Sequence, residues 1–121
     1  METQPRIEAL IGTVVNIKPQ QLLNRGLLYT TQTFIDIQKV ALATQGRPLF
    51  EDESPRGWIG HNKKGKTFYV LGDGNHRTSL ACLEGRTIPF HIEGIWDGLR
   101  PMYGFNMVLS KFRSEYSASF H

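Results

Sequence analysis

Short runs of apolar residues, each bounded by glycine, proline or a polar cluster, recur along the chain, and their spacing sets the elements expected of it. Thr13-Val14-Val15-Asn16-Ile17 is β-branched and partly alternating and stops at Lys18-Pro19, which predicts a strand. Residues 20–30 fit neither period, and Gly26 interrupts them. A helix is predicted over 31–45: Phe34, Ile35, Val40 and Leu42 supply a partial apolar face, Thr30 or Thr31 can cap the start, and Gly46 followed by Pro48 closes the end. After an acidic, irregular loop, Trp58-Ile59-Gly60-His61 and Thr67-Phe68-Tyr69-Val70-Leu71 read as the strands of a hairpin. Their connection, Asn62-Lys63-Lys64-Gly65-Lys66, has hairpin length and a well-placed glycine.

Gly72-Asp73-Gly74-Asn75 then forms a tight turn into a helix over 76–84, which Gly85 ends. Ile88-Pro89-Phe90-His91-Ile92 reads as a further strand, and 94–101 as a loop. In the tail, Phe105, Val108, Leu109, Phe112 and Tyr116 make one apolar helical stripe with Lys111 and Arg113 off it. A helix that packs on the core accounts for that stripe; a helix that mediates self-association is the rival reading. The order strand, helix, hairpin, helix, strand, helix predicts a compact mixed α and β domain.

A length of 121 residues fits one domain over 1–121, and 40% hydrophobic with 11% aromatic residues suffices for a core without disulfide staples. Cys82 is the only cysteine, so no intramolecular disulfide and no two-cysteine zinc site can form. The N-terminus has neither the basic start nor the apolar stretch of a signal peptide, and no span approaches the length of a membrane helix. The expected location is therefore the cytoplasm, with no membrane partner. The net charge of +3 permits an anionic partner without identifying one. Its distribution says more. Arg56, Lys63, Lys64 and Lys66, with His61, form a stretch without an acid, just after Glu51-Asp52-Glu53. Such a run is ordinarily a solvated loop; beside a phosphate site it would act as an anion-attracting lip.

The segment with most chemistry is the turn at residues 72–77. A strand delivers a glycine-rich turn to a helix N-terminus, where free N–H groups and the positive end of the helix dipole attract anions. Gly72 and Gly74 allow close backbone approach, Arg77 offers a planar fork of donors, and His76 can donate or exchange a proton. Asp73 suits a Mg²⁺ bridge to phosphate or a general base, and Asn75 and Thr78 can orient a ligand. An equally physical reading has Asp73 capping the helix, Asn75 adopting a turn, and His76 and Arg77 solvated.

With its flanks, the segment 69–92 resembles the signature of the ParB/sulfiredoxin superfamily, in particular its stand-alone ParB-like nuclease domains. The features are a strand, a turn ending Gly-x-x-Arg (here Gly74-Asn75-His76-Arg77, in an Asp-Gly-Asn-His-Arg form), an Ala-containing helix closed by Leu-x-Gly, and a Pro-containing strand. The resemblance implies an α+β fold: a small mixed sheet flanked by helices, with a core over about 13–93 and a C-terminal helical extension over about 102–118. It further implies a nucleotide phosphate held by Gly72, Gly74, Asn75, His76, Arg77 and Thr78. Asp73 and His76 would be the catalytic residues, and Asp73 would hold Mg²⁺ with ATP or CTP.

The family's particular chemistries transfer less well. Sulfiredoxins place a reactive cysteine where this chain has Asn75, and Cys82 lies well inside the helix, which argues against sulfinic acid reduction. Partition proteins carry Gly-Glu-Arg-Arg at the turn and append a DNA-reading module, for which residues 94–121 are too few. Other members place an acid or a Gln/Arg box after the first strand. The stretch from Lys18 to Arg25 has no acid and offers only Gln21 and Arg25.

Besides an interaction domain with an empty turn, two functions remain open on these grounds. One is metal-dependent cleavage of phosphodiesters or phosphoanhydrides, as a nuclease or nucleoside triphosphatase. The other is a non-catalytic regulator, of plasmid or phage origin by analogy, that senses a nucleotide or binds DNA or a protein. Elsewhere, His61 and His91 lack compact ligand spacing, and Ser54 and Ser79 sit in no nucleophile elbow. Trp58, Tyr69 and Trp96 suit either base stacking or core packing.

Overall fold

The fold is built around a mixed sheet whose central hairpin is the one predicted from the two strand-like runs and their glycine-bearing connection. The structure is a computed structural model that describes residues 7–49 and 54–119. The acidic triplet Glu51-Asp52-Glu53 lies outside the described residues. After a 3₁₀ turn, Ile7–Leu10, the elements are β1 (Val14–Ile17), α1 (Pro19–Asn24), β2 (Leu28–Thr30), α2 (Ile37–Thr44), β3 (Arg56–His61), β4 (Thr67–Asp73), α3 (Asn75–Glu84), β5 (Ile88–Ile95), β6 (Tyr103–Gly104) and α4 (Asn106–Ala118). The six strands lie in the order β1-β5-β3-β4-β2-β6. The pairs β2/β4 and β3/β5 are parallel and the others antiparallel, so the expected α+β class with a mixed sheet and a C-terminal helix is the observed one.

The core lies on one face of this sheet. Ile17, Leu28, Ile59, Leu71, Phe90 and Ile92 meet Cys82 of α3 and Phe105, Val108 and Leu109 around the start of α4. The apolar stripe of the tail is thus packed inward, as the core-packing reading expects. Further along it, Phe112 is 0% exposed and joins Val40, Ala43 and Leu49 in a second, smaller cluster. Tyr116 stacks on Phe112 at 5.9 Å.

The chain departs from the sequence reading between residues 20 and 37. Pro19 opens α1 at its first position, as suits a residue with no N–H to leave unpaired. The helix closes at Gly26, whose φ of 70° lets Leu27 N donate to Leu22 O at 2.9 Å and Gly26 N to Leu23 O at 3.0 Å. Leu28–Thr30 then pairs in parallel with β4, and Thr31 N continues the ladder to Leu71 O at 3.0 Å. The predicted helix over 31–45 therefore begins only at Ile37, capped by Asp36, whose carboxylate accepts from Gln38 N at 2.9 Å. Thr30 and Thr31 are not its caps. Phe34 (65% exposed) and Ile37 (62%) lie outside any core face. β5 also runs on to Ile95, taking the start of the predicted 94–101 loop. No helix among the described residues is long and apolar enough to cross a membrane.

Candidate functional site

The turn at residues 72–77 forms where the central hairpin ends. In β4, Gly72 is the extra residue of a bulge: Gly57 pairs with Leu71 and Arg56 with Asp73. The bulge is close-packed, since a Cβ at Gly57 would sit 1.9 Å from the Val70 carbonyl oxygen. Gly74 follows with φ 83°, ψ 24°, a left-handed conformation that costs other residues about 1–2 kcal/mol, and it serves as N-cap of α3 with no side-chain cap bond. The expected strand, bulged turn and helix N-terminus are therefore present, with a glycine as the N-cap.

The side chains of the turn point into the protein. Asn75 is 1% exposed: its carbonyl oxygen accepts from the Thr30 hydroxyl at 2.6 Å and its amide donates to Gln32 Oε1 at 3.1 Å. The Gln32 amide donates to Gly72 O at 3.0 Å, so the 30–32 segment is tied to both sides of the turn. His76, 5% exposed, accepts at Nε2 from Asp36 N at 2.7 Å, which places the proton of the neutral ring on Nδ1. The ring also meets Phe112 edge-on at 6.3 Å. Arg77 donates through Nε and Nη2 to Leu49 O at 3.2 and 2.7 Å. Thr78 is fully buried, and its hydroxyl and N–H both donate to Gly74 O. Ser79 is buried too, donating to Asn75 O at 2.8 Å, which leaves no nucleophile there.

Of the candidate set, Asp73 alone keeps a half-buried carboxylate beside the turn, across the strand pair from Arg56, which itself pairs with Glu93 at 3.4 Å. Mg²⁺ is commonly held by one carboxylate plus substrate phosphates, so Asp73 fits such an ion only with a phosphate ligand present. Among the described residues no three His, Cys, Asp or Glu side chains cluster as a metal site.

The hairpin separates the predicted lip. β3 and β4 are antiparallel, so Lys63, Lys64 and Lys66 lie at the end of β4 away from the turn, about 20 Å off at ~3.3 Å per residue. Arg56 alone of the basic run is at the turn. The tip lysines instead share a cleft with Arg25, the weak ligand candidate of α1, while Gln21 is exposed on α1. Of the candidate stacking rings, Tyr69 is a core residue, edge-on to Phe90 at 5.6 Å, and burial pushes its hydroxyl pKa up. Trp58 and Trp96 lie on the other face. Cys82 is buried in α3, and its thiol is pushed up to about 12 by burial, with Arg113 pulling the other way. It is thus a poor source of thiolate at neutral pH.

Thr30, Gln32 and Asp36 are the site residues that reading the sequence missed. Their signal is the polar run Thr30-Thr31-Gln32-Thr33, which interrupts the apolar period, and Asp36 three residues beyond it, a good N-cap residue. No protein-family model, curated protein or solved structure matches the chain.

Proposed function

We propose that the turn at residues 72–77 binds the phosphates of a nucleotide and that the protein is a nucleotide-responsive binding module rather than a hydrolase. The observation that carries this reading is the strand-to-helix turn itself: a left-handed Gly74 leads from the end of β4 straight into the N-terminus of α3, and Asn75 and His76, hydrogen-bonded inward, hold the turn in shape. Such an end suits an anion through its N–H groups and dipole. His76 is a poor proton shuttle as arranged, since its Nε2 lone pair is engaged with Asp36 N. The resemblance of residues 69–92 to the ParB/sulfiredoxin superfamily supports the same choice of ligand.

Hydrolysis with Mg²⁺ is the second reading, favoured by the half-buried Asp73 carboxylate directly before Gly74. One experiment separates the two. ATP and CTP are titrated with and without Mg²⁺ while melting temperature and phosphate release are followed, for wild type and Asp73→Asn. A binding module shows a ligand-dependent rise in melting temperature in both proteins and no phosphate release. A hydrolase releases phosphate, and Asp73→Asn abolishes that release. If no nucleotide moves the melting temperature and none releases phosphate, both readings fail.

A further inference from the structure

The sheet face turned away from the helices carries aromatic rings, a combination that suits unpaired bases. Alternation along β2, β3 and β4 puts Tyr29, Trp58, Gly60, Phe68 and Val70 on this face, opposite Ile59, Tyr69 and Leu71 of the core. Glycines let the rings lie down on the strands. A Cβ at Gly60 would meet the tip of the Phe68 ring at 2.4 Å, and one at Gly72 or Gly94 would meet the Trp58 indole at 3.0 or 3.4 Å. Val70, paired with Tyr29 on one side and Trp58 on the other, is 0% exposed. Phe68 and Trp58 are half-buried, and Tyr29 stands edge-on to Phe68 at 5.8 Å.

Positive charge borders the rings at both ends. At the hairpin tip, Arg25, Lys63, Lys64 and Lys66 line one cleft with Leu27 and Asn62, and no carboxylate of the described residues lines it. The tip is ordered, because the Asn62 side-chain oxygen accepts from both Lys64 N and Lys66 N at 2.9 Å. Tyr29 leans toward this end, its hydroxyl donating to Gly26 O at 3.0 Å. At the other end the Arg100 guanidinium lies over Trp58 at 4.3 Å and Trp96 at 5.4 Å, a cation–π arrangement that leaves N–H edges for a phosphate. The Glu93 carboxylate near that end is paired with Arg56.

The geometry points to this face as a binding surface for single-stranded nucleic acid. Tip cations and Arg100 hold the phosphates, and a base stacks at the Phe68–Tyr29 pair. Rings laid on a sheet and flanked by cations recognise bases that are free to unstack, which a duplex does not offer. The lysine tip and the Phe68–Tyr29 pair lie toward the end of the sheet away from the turn, whereas Trp58 lies against Gly72 of it; the proposal does not rest on the nucleotide reading.

The test is fluorescence anisotropy of the full chain with a short labelled oligothymidine, an oligouridine and a duplex of the same length, over a range of salt. Binding to the single strands, stronger than to duplex and falling with salt, is expected; the two single strands show whether the sugar matters. Phe68→Leu weakens binding by about tenfold with the salt slope unchanged, because it removes stacking and not charge. Lys63→Glu with Lys64→Glu and Lys66→Glu, all exposed, lowers both affinity and slope. The triple variant keeps any nucleotide-induced melting shift at the turn, which separates the two sites. No single-strand binding at low salt, equal affinity for duplex or for polyglutamate, or an unaffected Phe68→Leu overturns the proposal.

Discussion

Asn75 illustrates what a single residue does in this turn. Its amide bridges the Thr30 hydroxyl and Gln32 Oε1 at 1% exposure, with each end of the amide engaged. A side chain that presents only an apolar surface there leaves the buried Thr30 hydroxyl without its acceptor and the half-buried Gln32 Oε1 without its donor. Asn75→Leu is therefore expected to destabilise by about 1–3 kcal/mol, read from the urea midpoint. A midpoint within error of wild type would show that the bridge does not hold the turn. His76 follows the same logic through Asp36 N. The sequence flagged both residues for their chemistry, whereas the fold uses their side chains as struts. That role depends on Thr30, Gln32 and Asp36, at least 39 positions earlier in the chain, so local spacing alone does not reveal it.

At the scale of elements, the hairpin, α3 and α4 were legible because their signals are local. Two strand-like runs with a glycine connection, a glycine turn and one apolar stripe each lie within a dozen or so residues. The start of α2 was not legible. Thr30 and Thr31 extend because β4 offers them a ladder, a partner that helical periodicity cannot report. Glycines in β3 give a direct check on how that hairpin packs. A Cβ at Gly57 meets backbone, the Val70 carbonyl at 1.9 Å, while one at Gly60 meets the tip of the Phe68 side chain. Gly57→Ala is expected to cost more than Gly60→Ala, by about 1 kcal/mol or more, because a ring can turn and a central strand cannot shift. Equal thermal unfolding midpoints in the two variants would contradict this packing.

The whole molecule is a sheet with two unlike faces, helices packed on one and aromatic rings laid on the other. Burial on the helical face has a consequence in alkali. In the fold burial pushes the Cys82 thiol up to about 12 from an ordinary 9.0, and Tyr69 is also raised. Above about pH 9 the unfolded chain loses the Cys82 proton while the folded protein keeps it, so the unfolded state binds fewer protons and stability falls as pH rises toward about 12. Urea midpoints measured from about pH 8 to about pH 10 are expected to decline in wild type and to decline less steeply in Cys82→Ala. Parallel declines would remove Cys82 from the account.

Local sequence carries the mixed α and β class, the hairpin with its basic tip, the glycine turn into α3 and the apolar stripe of α4. Each follows from residues near one another, where propensity and periodicity act. Tertiary structure decided which end of the hairpin meets the turn, and so parted Lys63, Lys64 and Lys66 from it and joined them to Arg25. It also decided that Asn75 and His76 face inward and that Trp58 and Phe68 lie over glycines of neighbouring strands. Those outcomes depend on strand pairing and side-chain burial between distant segments, where the free energy belongs to the contact and not to either stretch of chain.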